Sequence, residues 1–246
     1  MQFKTFYTSI IFIIITVASA VAQSDSTNQS FSLTVGASLP MSNYAATTND
    51  GGYAKLGLAI QSNYSYKFNQ NIGAIASYNF FRNTINADAL ANNFKTKVES
   101  QIERSVDYSS STAYNWNAHT VLIGVNYSKS LTSNNKLAYH AAVLAGSAFV
   151  YSPASETTVF VNNVFYRTTV KRSFNACLSY QIQAGLSYKT GPKTSLNFNA
   201  NYLGMNLEGY NLEITDVGNN SYLNNKYQFK QSIAMLNFSI GIATHF

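Results

Sequence analysis

Apolar and polar residues alternate with period two along most of this chain. A strand turns successive side chains to opposite faces, so each such run reads as a β-strand with one greasy and one polar face. Phe31, Leu33, Val35, Ala37 and Leu39 alternate with Ser32, Thr34, Gly36 and Ser38. Leu56, Leu58, Ile60, Tyr64, Tyr66 and Phe68 interleave with Gly57, Gln61, Asn63, Ser65 and Lys67. A third run carries Ile72, Ala74, Ala76, Tyr78 and Phe80, and a fourth carries Val121, Ile123, Val125 and Tyr127. The fifth, Leu137 to Tyr151, alternates poorly, because Ala142, Leu144, Ala148 and Val150 fill its other face; it is accepted by position. The sixth runs from Phe174 to Tyr188, the seventh from Leu196 to Tyr202, and the eighth from Ala234 to Phe246.

Eight strands are therefore predicted, most as long as the roughly 9–11 residues that cross a bilayer at a tilt. Lipid tolerates no unpaired backbone, so a sheet of such strands closes on itself. The expectation is all-β: an eight-stranded antiparallel up-and-down transmembrane barrel over residues 23–246. Connections alternate in length, which supports it. Short ones lie at 69–71, 130–136 and 190–194; long ones lie at about 40–52, 82–116, 152–172 and 204–226. Short turns on one side and long loops on the other characterise outer-membrane barrels, the short side being periplasmic.

A repeat falls into place on this frame. The fragments SYKF (65–68), YSKS (127–130) and SYKT (187–190) put lysines at 67, 129 and 189, spaced 62 and then 60 residues apart. Each fragment ends a strand just before a short turn. Tyr66, Tyr127 and Tyr188 occupy the apolar phase, and with Phe68, Tyr139, Phe198 and Phe246 they are expected to form one membrane-interface girdle. The lysines end at the same level, within reach of phosphate or water.

Composition sharpens the picture. Charged residues make up 11% of the chain, against about 25% in ordinary soluble domains. There are 18 Tyr and 16 Phe. So greasy a surface with so few charges fits a wall that faces lipid. The N-terminus reads as a signal peptide cleaved after Ala22: Lys4, the apolar run Ile10–Val17, then Ala20-Val21-Ala22. Removing residues 1–22 takes away Lys4 and no acid, lowering the formal charge from +6 to +5. Without basic clusters, that charge gives no nucleic-acid footprint. Cys177 stands alone, which excludes a disulfide framework.

The terminal segment LNFSIGIATHF carries a specific pattern, with Phe238, Ile240, Ile242 and Phe246 in phase to the last residue. It resembles the closing strand of small Gram-negative outer-membrane β-barrels of the OmpX or OmpA membrane-domain type. It departs at position 244, a threonine where that signature carries an aromatic. The resemblance implies that these four residues are read by the barrel-assembly machinery during biogenesis. It also implies an outer-membrane location with outer-membrane lipid around the wall. The Asn- and Tyr-rich composition looks like the small barrels of Bacteroidota.

Chemistry is sparse. His119, His140 and His245 are the histidines, with Glu103, Asp107 and Glu208 the acids at the loop end of the strands. A hydrolytic site needs a base, a nucleophile and an orienting group within reach of one another. No such set is apparent, so the expectation is no catalysis, no metal and no cofactor. Eight strands leave an interior just wide enough for side chains or one small ligand. The polar phase supplies Gln61, Asn63, Asn126, Gln181, Gln183, Asn197, Asn199, Asn201 and Asn237, read as a hydrogen-bonded polar plug. The alternative is a solute path lined by these amides.

The long loops hold the remaining signals. Leu90, Phe94, Val98 and Ile102 recur every four residues, compatible with an amphipathic helix or with a partly ordered excursion. Asn162-Asn163 suits a hairpin turn. The ribbon it joins would expose Val159, Val161, Phe165 and Tyr166, which with Phe94 are the expected partner contacts. Two functions follow: a non-enzymatic barrel presenting its loops to a protein partner or a larger membrane complex, or a narrow transporter or ligand-binding barrel.

Overall fold

The computed structural model describes residues 28–48, 51–161, 164–218 and 221–246, and their side chains except those of 209–229. The expected signal peptide, residues 1–22, and the expected turn at Asn162-Asn163 lie outside the described residues. The elements run β1 (Gln29–Met41), β2 (Ala54–Lys67), β3 (Ile72–Ile85), α1 (Ala87–Ile102), β4 (Tyr108–Ala113), β5 (Trp116–Ser130), β6 (Leu137–Tyr151), β7 (Ser155–Val161), β8 (Val164–Val170), β9 (Phe174–Lys189), β10 (Thr194–Gly218) and β11 (Ser221–His245). A single 3₁₀ turn, Ser42–Tyr44, follows β1.

Strands β1, β2, β3, β5, β6, β9, β10 and β11 pair antiparallel in that order, and β11 pairs back onto β1. This is a closed eight-stranded antiparallel barrel. Alternation determines what each strand buries. On β5, Val121, Ile123 and Val125 point outward and stay exposed, while Thr120 and Leu122 point inward and are buried. Leaving one Val or Ile exposed to water costs about 1.5–3 kcal/mol relative to burying it. Such a belt is stable where hydrocarbon covers it.

The structure departs from the sequence reading in the loops. Segment 204–226, expected as a loop, continues β10 and β11 as one antiparallel hairpin, with Leu212 opposite Tyr227 and Val217 opposite Tyr222. Strand β10 also pairs with β8, β8 with β7, and β7 with β4. The barrel sheet thus continues through β10 into β8, β7 and β4 at the long-loop end. Helix α1 and the segment after it cover this extension: Val98 of the helix and Val106 beyond it bury against Val159 and Val161, with Phe94, Ile102 and Tyr166 around them. Asn86 caps the helix by accepting from the Ala89 N–H at 3.3 Å. Glu103 ends it in the left-handed region at φ 53°.

Candidate functional site

Two places gather side chains with binding capacity, the lumen and the platform above it. Within the lumen, the mid-level is an amide ladder. Gln61 Nε2 donates to Ser77 Oγ and to Gln183 Oε1, each at 3.2 Å. Asn79 Nδ2 donates to Thr120 Oγ1 at 2.8 Å and to Gln181 Oε1 at 3.2 Å. Asn201 Nδ2 donates to Gln61 Oε1 at 2.8 Å, and Gln183 Nε2 reaches Asn199 Oδ1 at 3.4 Å. The rungs come from β2, β3, β5, β9 and β10, so the network ties the wall together across the axis. Asn79, Ser77 and Thr120 belong to it although the sequence reading omitted them. Their inward phase on β3 and β5 was the available signal.

The polar plug is not uniform. Toward the short-turn end, the buried atoms Asn63 Oδ1, Asn126 Oδ1 and Asn197 Oδ1 have no protein partner. At mid-height, both polar atoms of the Asn237 side chain likewise have no protein partner. A cavity of about 120 Å³ opens toward the short-turn end, lined by Asn63, Asn126, Asn197, Gln183, His140 and Lys67 among others. From the middle toward the long-loop end the lumen gains a large apolar cluster beside the buried Ser38, Asn83 and Ser179, which the polar-interior expectation did not anticipate. Leu122, Leu144, Val150, Leu203, Met205, Ile233 and Met235 are all fully buried. The poor alternation of β6 has its cause here, because Ala142, Leu144, Ala148 and Val150 face this core. Above it, Tyr44 and Trp116 meet edge to face at 5.6 Å, and Trp116 Nε1 donates to the Gly52 carbonyl at 2.9 Å. Burial pushes the Tyr44 phenol well above its ordinary pKa.

The girdle residues separate into two groups. Tyr66, Phe68, Tyr188 and Phe198 point outward and are exposed. Tyr127 and Tyr139 are half-buried against each other, with ring centroids 5.8 Å apart. Phe246 does not join them: it is 4% exposed, beyond the last residue of β11. Its backbone exchanges two hydrogen bonds with Gln29, which fixes the chain end against the start of β1. Phe238, Ile240 and Ile242, by contrast, lie exposed on the outer wall.

The histidines do not converge. His140 Nε2 meets Asn199 Oδ1 at 2.7 Å and His245 Nε2 meets Ser195 Oγ at 2.9 Å. His119 is not lumenal, because its odd-numbered phase on β5 turns it outward to Tyr78 Oη at 2.8 Å. Among the described residues, no three His, Cys, Asp or Glu side chains group to hold a metal.

On the platform, the expected partner contacts divide by face. Val159 (0% exposed), Val161 and Tyr166 turn into the α1 contact, where Phe94 also packs, so they do not form an open surface. The hairpin phase had suggested exposure because nothing local says that a helix from another loop lies on top. Phe165 is on the opposite face and 61% exposed. It stands in register with Phe160, which stands in register with Tyr108. Those three rings make an aromatic row across β8, β7 and β4. Tyr108 escaped the sequence reading because β4 lies inside a long loop.

No protein-family model matches the chain, and no curated protein matches it in sequence. Solved structures do. A major outer membrane protein from Thermus thermophilus is 12% identical, with a TM-score of 0.50 over 89% of this chain and 99% of that one. Neisserial surface protein A is 10% identical, with a TM-score of 0.42 over 90% and 98%. Ail, the attachment invasion locus protein of Yersinia pestis, is 13% identical, with a TM-score of 0.42 over 89% and 99%. At such identities the Thermus likeness is one of fold, that of an outer-membrane β-barrel.

Proposed function

We propose that the chain is a non-enzymatic, non-conducting barrel of the Gram-negative outer membrane that serves as a pedestal for an extracellular recognition platform. The long-loop end then lies outside the cell and the short turns in the periplasm. One observation carries the reading: Leu122, Leu144, Leu203, Met205 and Met235 are buried across the middle and long-loop part of the lumen, packed in with the buried Ser38, Asn83 and Thr120. A close-packed apolar section excludes water, so no aqueous path runs through. The chain's remaining structural investment is the sheet β4–β7–β8 with α1, and its aromatic row Tyr108–Phe160–Phe165 suits a protein partner. That partner is either a protein on another surface or a subunit of a larger membrane complex.

The test is paired. Full-length mature protein in planar bilayers is expected to give no unitary current. Affinity capture from native envelopes is expected to recover one stoichiometric protein with wild type and to lose it with Tyr108→Ser/Phe165→Ser. A reproducible unitary current through the intact chain overturns the reading.

The second reading, a small-ligand barrel, is favoured by the 120 Å³ cavity and the unpartnered Asn63, Asn126 and Asn197 oxygens around it. It takes a compact hydrogen-bond donor entering from the periplasmic side. Saturable binding that Asn126→Leu abolishes, with the platform intact, is the result that supports it.

A further inference from the structure

The outer wall near the long-loop rim carries a cationic and aromatic patch that neither the barrel nor the platform explains. On β3, Tyr78, Phe80 and Arg82 point outward in sequence. Arg82 stands in register with Asn117 of β5, Asn117 with Tyr151 of β6, and Tyr151 with Phe174 of β9. The rings touch along this row. Phe80 lies 5.0 Å from His119, His119 lies 6.3 Å from Tyr151, and Tyr151 lies 5.0 Å from Phe174. The Arg172 guanidinium sits over the Tyr151 ring, 5.0 Å from its centroid. Arg82 is held from the side by Asn115, whose amide oxygen, in its hydrogen-bonding orientation, accepts from Nε and Nη2 at 2.7 and 2.8 Å.

Three features make this more than a rim. First, two strand spacings separate Arg82 from Tyr151, about 10 Å, a gap that two arginine side chains can close on one ligand. Second, neither arginine has a carboxylate partner among the described ion pairs, which are Lys95–Glu99 and Arg167–Glu156. Strands β1, β2, β3, β5, β6 and β9 contain no Asp or Glu. Glu156, the nearest acid along the chain to Arg172, is already taken by Arg167 at 3.4 Å. Third, the height is right. Arg82 is ten positions beyond Ile72 on β3, and ten residues at the usual tilt rise about 25 Å, the thickness of the apolar band.

We propose that Arg82 and Arg172, set on the Phe80–His119–Tyr151–Phe174 aromatic shelf, bind the anionic phosphate headgroup of a lipid in the outer leaflet. Guanidinium forks match phosphate oxygens in pairs, and the rings cover the glycerol and upper acyl segments. The inference rests on the membrane reading, because the same patch in water has no headgroup to meet.

The experiment uses the full mature chain in nanodiscs of phosphatidylcholine with a minority of phosphatidylglycerol, and counts retained lipids by native mass spectrometry. Wild type is expected to retain phosphatidylglycerol about tenfold above its share of the disc. Arg82→Gln/Arg172→Gln is expected to bring retention down to that share, and Arg82→Lys/Arg172→Lys to leave an intermediate excess. Arg104→Gln, on the chain just after α1, is expected to change nothing. Unchanged enrichment in the double Gln variant overturns the inference. So does loss of enrichment when millimolar inorganic phosphate is added, which would make this a free-anion site. A chain that never enters the disc overturns the membrane reading as well, whereas one that enters without lipid preference overturns this inference alone.

Discussion

Gly36 and Gly241 lie two register positions apart on the two sides of the seam where the last strand meets the first. A Cβ on Gly36 would run into the Phe238 carbonyl, and one on Gly241 into the Leu33 carbonyl. Each glycine is paired one strand over, Gly36 with Ser239 and Gly241 with Thr34, so both clashes involve backbone that cannot swing aside. Closing eight strands requires this sharp curvature, and glycine supplies it. Gly36→Val is expected to prevent closure, seen as loss of the mobility difference between unheated and heated samples in electrophoresis. Further up the lumen, Leu144 is fully buried among Leu122, Leu203 and their neighbours. Leu144→Ala is expected to cost about 2–5 kcal/mol in urea unfolding from lipid vesicles, since the barrel cannot collapse around the cavity.

At the scale of elements, the lid formed by the Ser42–Tyr44 turn and Trp116 has a pH limit. Burial raises the Tyr44 pKa above its ordinary value, and Tyr53 beside it is raised for the same reason. An unfolded tyrosine releases its proton from about pH 10 upward while the buried one holds it, so the unfolded state binds fewer protons. Stability therefore stays level below pH 10 and falls above it, by about 1.4 kcal/mol per pH unit for Tyr44, with Tyr53 acting in the same direction. Trp116, the chain's one tryptophan, reports this directly. Its emission is expected to shift to the red above pH 10, with Tyr44→Phe moving the transition to higher pH. Helix α1 offers an independent check. Its C-cap, Glu103, adopts a left-handed conformation natural to glycine, while Glu99 accepts from the Val106 N–H at 2.9 Å to direct the chain onward. Glu103→Gly is expected to stabilise the helix by about 0.5–1 kcal/mol, measured as slower amide exchange across 87–102.

For the molecule as a whole, the barrel was written into the sequence and the platform was not. Period-two alternation is local and repeats on every wall strand, so strand number, phase and outward faces could be read from Val121, Ile123 and Val125 or from Phe238, Ile240 and Ile242. The helix was only half legible: Leu90, Phe94, Val98 and Ile102 have its spacing, but a partly ordered excursion accommodated the same residues. What escaped was non-local. Val159 and Val161 look like an exposed ribbon until α1, from an earlier loop, covers them. Strands β10 and β11 run on past the rim, where Glu208 falls in a register shift between Leu207 and Tyr210, and Glu213 and Asp216 interrupt the lipid-type pattern within the paired ladder. This difference in origin makes the two parts separable. The barrel seam is formed by β11 on β1, whose twelve register pairs involve no platform residue. The backbone bond from the Asn86 N–H to the Tyr53 carbonyl, at 2.8 Å, ties the start of α1 to the rim. Replacing residues 86–115 with a short Gly/Ser linker is therefore expected to leave the heat-modifiable barrel intact, with its urea stability changed by about 1 kcal/mol or less. The same deletion strips Val159 and Val161 of their cover, so cleavage by an added protease is expected to concentrate at 155–170. A deleted chain that fails to form the barrel would mean that the platform is part of the folding unit, and the pedestal description would be wrong.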